Sequence, residues 1–451
     1  MRHLPLILLG LLLLWAPLPF GSVTPWGVLL IVALVAALTL TVSAARQGLF
    51  LDGVGGVTVG LLGLGLLGMV QASALAGRWL GFLTTGLEAQ LPSELSAAIE
   101  PSLSLAPALS RQAALGWWTL ALLFIAAAVV ARQGQAKHWL LGAVLASTAF
   151  QILYGWRQLR TNSHEILGRG VPGPPRLRGT LVNADHLAVL FEIVMAICLA
   201  WGWWAWYRSR REPRLVYRMA WLLPPLVCWS GSAAALLGTG SRAALAAAVF
   251  GLVVQSALLF GPRRQWWVPA VVSSLVVAAA LVLVSRGPTP ELGRQLSRPT
   301  HEILRNSRFE VWEPALRLWK ASPWLGTGLG TFEEAFPRVQ PASLMKDRWG
   351  RAHNDPLELL VTGGLLAVGF LGWALYCLVR RLWLVYHSGA RVAGRAAALA
   401  ALAALPPVAL HEGADFGLTI PVNAVFMVVL LGVGASGPTA QEEGAAPLRS
   451  R

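Results

Sequence analysis

The 451-residue chain is short of almost everything that keeps a protein in water. Only 13% of its residues are charged, lysine occurs only at positions 137, 320 and 346, and 56% of the chain is hydrophobic. That composition excludes an ordinary soluble domain and fits a helical membrane protein. Cysteine is scarce too: Cys198, Cys228 and Cys377 all fall in long apolar runs, which argues against a disulfide framework or a thiolate metal site. There is no HExxH, and His164, His301, His353 and His411 lack metal-ligand spacing, so no metal and no other cofactor is expected. The GxSxG elbow of a serine hydrolase is also missing. GTGLG at 326–330 has no strand before it and no GK[ST] after it, so it reads as a flexible turn after Pro323 rather than a nucleotide loop. Acidic residues number 21 against 36 Lys and Arg, a net charge of +15. The arginines sit in short clusters that membrane topology explains, with no nucleic-acid motif beside them, so nucleic acid is not an expected partner.

What is present is a series of apolar runs. About twelve approach the roughly 20 residues needed to cross a hydrocarbon core of about 30 Å. They centre near residues 12, 35, 62, 122, 147, 195, 228, 251, 276, 367, 403 and 428. The first is read as a retained helix, because PLPFGS is a poor cleavage site and a second run follows at once. The short loops carrying Arg132 and Lys137, Arg208 to Arg218, Arg263 and Arg264, and Arg380 to Arg395 then share one side. By the positive-inside rule that side is cytoplasmic, and long loops cross largely regardless of charge. Trp203, Trp204, Trp266 and Trp267 fall at run ends, as an aromatic belt would. The expected architecture is an all-α, polytopic integral membrane protein of about twelve transmembrane helices, with a long external (periplasmic) loop containing short helices. Its parts are N-terminal helices over 1–139, helices with a basic external loop over 140–285, the long loop over 286–354, C-terminal helices over 355–436 and a cytoplasmic tail over 437–451.

A loop as long as the one from Arg286 onward is usually functional. Within it, Ser307 and Glu310 form a capping box, which predicts a helix with Arg308 in its first turn and Phe309, Trp312, Leu316 and Trp319 along one face until Pro323. Such a helix suits a membrane surface. A second start is read at Asp355 as N-cap, with Pro356 and Glu358 following, at the head of LLVTGGLLAVGFLGWALYCLV. His353 and Asn354 therefore stand at the water boundary, beside a helix N-terminus suited to an anion.

Other polar residues gather on the same side. The external loop after the fifth run carries Arg157, Arg160, Arg169, Arg176 and Arg178 against a single Glu165, a basic outer surface that points to an anionic ligand or to lipid headgroups. Asn183, Asp185 and His186 enter the sixth run, where polar residues by default face a cavity or a partner helix. Ser241 and Arg242 open the eighth. A lone arginine there could simply reach for the interface, but Arg242, Arg308 and His353 all map to one side. His411, Glu412 and Asp415, between the last two runs, either cap helices and pair with loop arginines or take part in chemistry.

The succession RLRGTLVNADHLA, GTGSRAAL, SRFEVWEPALRLWKASPWLGTGLGTF, HNDPLELLVTGGLLA and HEGADFGLTIPVNA resembles the O-antigen ligase and O-antigen polymerase superfamily over roughly residues 140 to 435. The resemblance implies a metal-independent glycosyltransferase in the cytoplasmic (inner) membrane with its site on the periplasmic face. It would pass a glycan from an undecaprenyl-diphosphate carrier to a hydroxyl of an acceptor glycan, lipid A core or protein, inverting the anomeric centre. Arg242, Arg308 and His353 correspond to the family's catalytic positions. Arg176, Arg178, Asn183, Asn354, Asp355, His411 and Asp415 are the expected substrate-binding residues. Elementary chemistry agrees: arginine forks hold a diphosphate leaving group, and imidazole suits removal of a hydroxyl proton. The competing reading is a transporter or flippase of an anionic lipid-linked saccharide. The lack of an internal repeat, and polar groups at the outer boundary instead of the midplane, favour the enzyme.

Overall fold

A computed structural model of the protein describes residues 3–44, 53–81, 102–133, 135–173, 176–260, 307–345, 348–388 and 391–437. Its helices are α1 (Leu4–Trp15), α2 (Pro25–Ala44), α3 (Gly55–Gln71), α4 (Ala74–Leu80), α5 (Pro107–Val130), α6 (Ala136–Arg160), α7 (Ala184–Ser209), α8 (Leu215–Thr239), α9 (Arg242–Phe260), α10 (Ser307–Ala321), α11 (Phe332–Ala335), α12 (Asp355–His387), α13 (Val392–Glu412) and α14 (Pro421–Ala435). Among the described residues eight helices are long and apolar enough to cross a membrane, and α3 with α4, bent by 83°, would make a ninth. The shorter α1 and α14 are also apolar. Every expected centre outside 261–306 falls inside one of these helices; the one near 276 lies outside the described residues.

Helix α7 is the post of the bundle. It packs against α8 on one side and α13 on another, and every residue from Ala184 to Ala196 is buried, including Asp185, His186 and Glu192. Polar side chains so placed must find partners within the protein, since neither lipid nor a helix interior supplies any. A hairpin of β1 (Glu165–Ile166) and β2 (Arg169–Gly170) folds over the last turn of α6. Leu167 and Gly168 both take positive φ in its two-residue turn. Gln158 donates to the Glu165 carbonyl, and Tyr154 accepts from Leu167 N–H.

The long loop builds a small core of its own. Val311, Ala315 and Leu318 on α10 are buried against Phe332, Phe336, Leu344, Ala352 and Val361. The stripe expected to face lipid is therefore divided: Phe309 and Leu316 remain exposed, while Trp312 and Trp319 are partly buried and donate to the carbonyls of Ala352 and Pro323. Helical periodicity had identified an apolar face but not its partner, which here is protein.

Helix α12 is broken. Gly364 leaves the helical region (φ 64°, ψ −169°), so a short helix from Asp355 precedes the main span. The break frees carbonyls, and the glycine-rich turn meets them: Thr327 N–H donates to Val361 O at 3.0 Å and Gly328 N–H to Thr362 O at 2.9 Å. Leu365 and Leu366 donate back to Pro323 and Trp324. Buried Gln71 of α3 completes the joint, donating to Leu325 and Thr362 carbonyls and accepting from Leu329 N–H. GTGLG is thus a packed splice, correcting the expectation of a flexible turn. Gly326 shows why glycine is required, with φ +66° and a hypothetical Cβ only 2.4 Å from the Thr362 carbonyl carbon. Gly326→Ala should destabilise the protein by on the order of 1–3 kcal/mol. The check is the melting of the detergent-solubilised protein, and an unchanged midpoint would contradict the splice.

Candidate functional site

The helices that reach the site are closed by residues suited to capping. Asn183 caps α7, its side chain accepting from Asp185 N–H at 3.0 Å. Gly240 closes α8 in the left-handed conformation, and Ser241 caps α9 by accepting from Ala244 N–H. Asn354 caps α12, accepting from Leu357 N–H at 2.9 Å. The cap is thus one residue earlier than expected, with Asp355 as the first helical residue; both residue types can cap, and Asn354 has the extended backbone that a cap needs.

A continuous run of contacts joins these ends. Arg176 donates through Nε to the Thr239 carbonyl at the end of α8, and its Nη2 lies 2.6 Å from Asp185 Oδ1. Next to Asp185, His186 puts its Nε2 4.0 Å from Asp415 Oδ1, in the loop between α13 and α14. The same oxygen lies 3.4 Å from His353 Nδ1. Phe416 stands edge-on to both imidazoles, with ring centroids 4.6 Å from His186 and 4.8 Å from His353. The loop is tied by Asp355 N–H, which donates to Asp415 O, and by the side-chain amide of Asn423 on α14, which donates to the carbonyls of His186 and Gly417. The result is a buried carboxylate between two histidines, of which His353 is the more open, its side chain 21% exposed against 8% for His186.

The structure therefore brings together Arg176, Asn183, His353, Asn354, Asp355 and Asp415. Asp415 itself is 1% exposed, so its carboxylate faces the histidines instead of solvent. Asp355 comes up against Glu412 at the end of α13. Arg242 is the first residue of α9 and half-buried, three residues beyond the Thr239 carbonyl that holds Arg176. Arg178 is buried and donates to Pro172 O; burial, with Arg176 beside it, lowers its pKa from the usual guanidinium value. Arg157, Arg160 and Arg169 stay exposed. The side chain of Arg308, the second residue of α10, lies outside the described residues. His411 is fully buried, with Nδ1 2.7 Å from Glu192 Oε1, where α13 packs on α7.

Glu192, Phe416 and the buried Glu358 escaped the sequence reading as site-building residues. For Glu192 a signal existed, since an acid inside an apolar run and seven residues after Asp185 shares its helical face. Phe416 gave none. Among the described residues no group of three or more His, Cys, Asp or Glu is arranged to hold a metal ion.

The chemical capacity is that of a partly open imidazole beside a buried carboxylate. A comparison with curated proteins gives no match. Residues 225–374, from within α8 to within α12 and including Arg242, Arg308 and His353, match the family model described as O-antigen ligase, so this third of the chain is similar to that family.

Proposed function

We propose that the protein transfers a glycan from a polyprenyl-diphosphate carrier to an acceptor hydroxyl at the outer face of the inner membrane, by direct displacement. The pairing of half-open His353 with buried Asp415 is the observation that carries this reading. With its Nδ1 proton donated to Asp415, the ring keeps a lone pair on Nε2 for the acceptor hydroxyl proton. The acceptor oxygen attacks the anomeric carbon, the bond to the diphosphate oxygen breaks with inversion, and Nε2 takes the proton. Asp415 then faces an imidazolium and stabilises it. The negative charge gathering on the leaving diphosphate is held by Arg242 and Arg308, each in the first turn of a helix whose N-terminal dipole adds to the attraction.

Arg242→Lys keeps the charge but loses the fork, so donor KM should rise roughly 10–100-fold, the equivalent of about 1.5–3 kcal/mol for a charge-assisted hydrogen bond. Steady-state kinetics over donor concentration measures it, and a KM equal to wild type removes Arg242 from diphosphate binding. The proposal as a whole is tested in proteoliposomes given a polyprenyl-diphosphate oligosaccharide and an acceptor. Glycan joined to acceptor without an ion gradient is the expected product. Movement of intact carrier across the bilayer with no transfer would make the protein a transporter.

A further inference from the structure

His353 is held in a backbone conformation that it would not choose. Its φ is +51°, a left-handed value uncommon outside glycine, and the two residues before it show how it is kept there. Ala352 is fully buried, and both of its backbone polar groups are taken by side chains from other elements. Its N–H donates to Glu358 Oε2 at 2.9 Å, and its carbonyl accepts from Trp312 Nε1 of α10 at 3.2 Å. The other oxygen of Glu358 lies 2.7 Å from Arg351 Nη1. On the far side of His353, Asn354 is fixed as the cap of α12.

We propose that Glu358 and Trp312 are positioning residues for His353, acting together as a clamp on Ala352. The Ala352 carbonyl lies in the peptide plane that ends at His353 N, so the tryptophan bond sets one side of the φ rotation. The Asn354 cap sets the other. Glu358 stops the strand from sliding along that plane by holding the preceding N–H. Without the clamp His353 relaxes toward negative φ and its ring swings away from Asp415. An acid in the first turn of a helix is ordinarily explained by the dipole and left in solvent. Glu358 is buried, with both oxygens turned back onto the residues ahead of the helix.

The inference rests on His353 being the base, and full-chain enzyme in proteoliposomes tests it. Glu358→Ala should lower kcat about 10²-fold, the usual effect of a misplacement of about 1 Å, while donor KM stays within about threefold, because only the base has moved. Trp312→Phe, which keeps the ring and removes the donor, should lower kcat about tenfold with the same KM. Glu358→Gln retains an acceptor for Ala352 N–H and should recover most of the rate. Wild-type kcat in Glu358→Ala overturns the clamp. If Glu358→Ala does not fold, Glu358→Gln decides: near-normal kcat supports the clamp, and a loss as deep as that of His353→Ala in a normally melting protein overturns it. A fully active His353→Ala would instead remove the base itself, a result distinct from an inactive His353→Ala beside a fully active Glu358→Ala.

Discussion

Replacing His353 by alanine should lower glycan transfer by about 10²–10⁴-fold, the range that a positioned general base contributes. The loss should appear in kcat, with donor KM little changed, because the imidazole meets the acceptor hydroxyl and not the diphosphate. Folding should survive. The side chain is partly exposed, its ring contacts are the edges of Phe416 and Trp349, and the Asn354 cap of α12 does not involve it. Single-turnover transfer by purified variant and wild type, matched for melting temperature, is the measurement. Turnover within a few-fold of wild type would assign the base elsewhere, and His186, on the same carboxylate, would be the residue to examine next.

The second large effect belongs to Asp415. Asp415→Asn preserves size but removes the charge. One atom, Oδ1, both accepts from Phe416 N–H at 3.0 Å and faces His353 Nδ1 at 3.4 Å. An amide oxygen kept there stabilises the imidazolium less, while an amide nitrogen turned there gives up the Phe416 bond and favours the tautomer with the proton on Nε2, which cannot accept from a hydroxyl. The expected loss is roughly 10²–10⁴-fold in kcat, the upper end being that of wrong-tautomer variants of a His–Asp pair. The double variant with His353→Ala should be no slower than His353→Ala alone, since the two residues act as a unit. Additive losses would show that Asp415 acts separately from the histidine, and wild-type kcat in Asp415→Asn would show that the carboxylate does not orient the base at all.

Much of this site could be read in the sequence, because its parts announce themselves locally. Asp355, Pro356 and Glu358 read as a helix start whatever lies around them, so His353 could be placed ahead of a helix N-terminus, although the cap itself is Asn354. The spans were legible because a hydrocarbon solvent imposes length and composition on every helix that crosses it. The pairing of His353 with Asp415 could not be read, since it joins residues 62 positions apart through a loop that has no periodicity. The burial of His411 on Glu192, across 219 positions, was hidden for the same reason. The division of the α10 stripe was out of reach on different grounds. An apolar face is the same signal whether lipid or Phe332 and Phe336 cover it, and only the second places Trp312 on Ala352.

The break at Gly364 has a consequence for anyone recombining this protein with a relative. Val361 and Thr362 take their hydrogen bonds from Thr327 and Gly328, and Leu365 and Leu366 give theirs to Pro323 and Trp324. Residues 323–330 and 355–366 therefore behave as a single cassette, although some two dozen positions separate them. A crossover point between the two would join halves whose backbones no longer recognise each other, next to the residues that hold His353. Crossovers placed before Pro323 and after Leu366 keep the cassette whole, leaving the span below free to be exchanged.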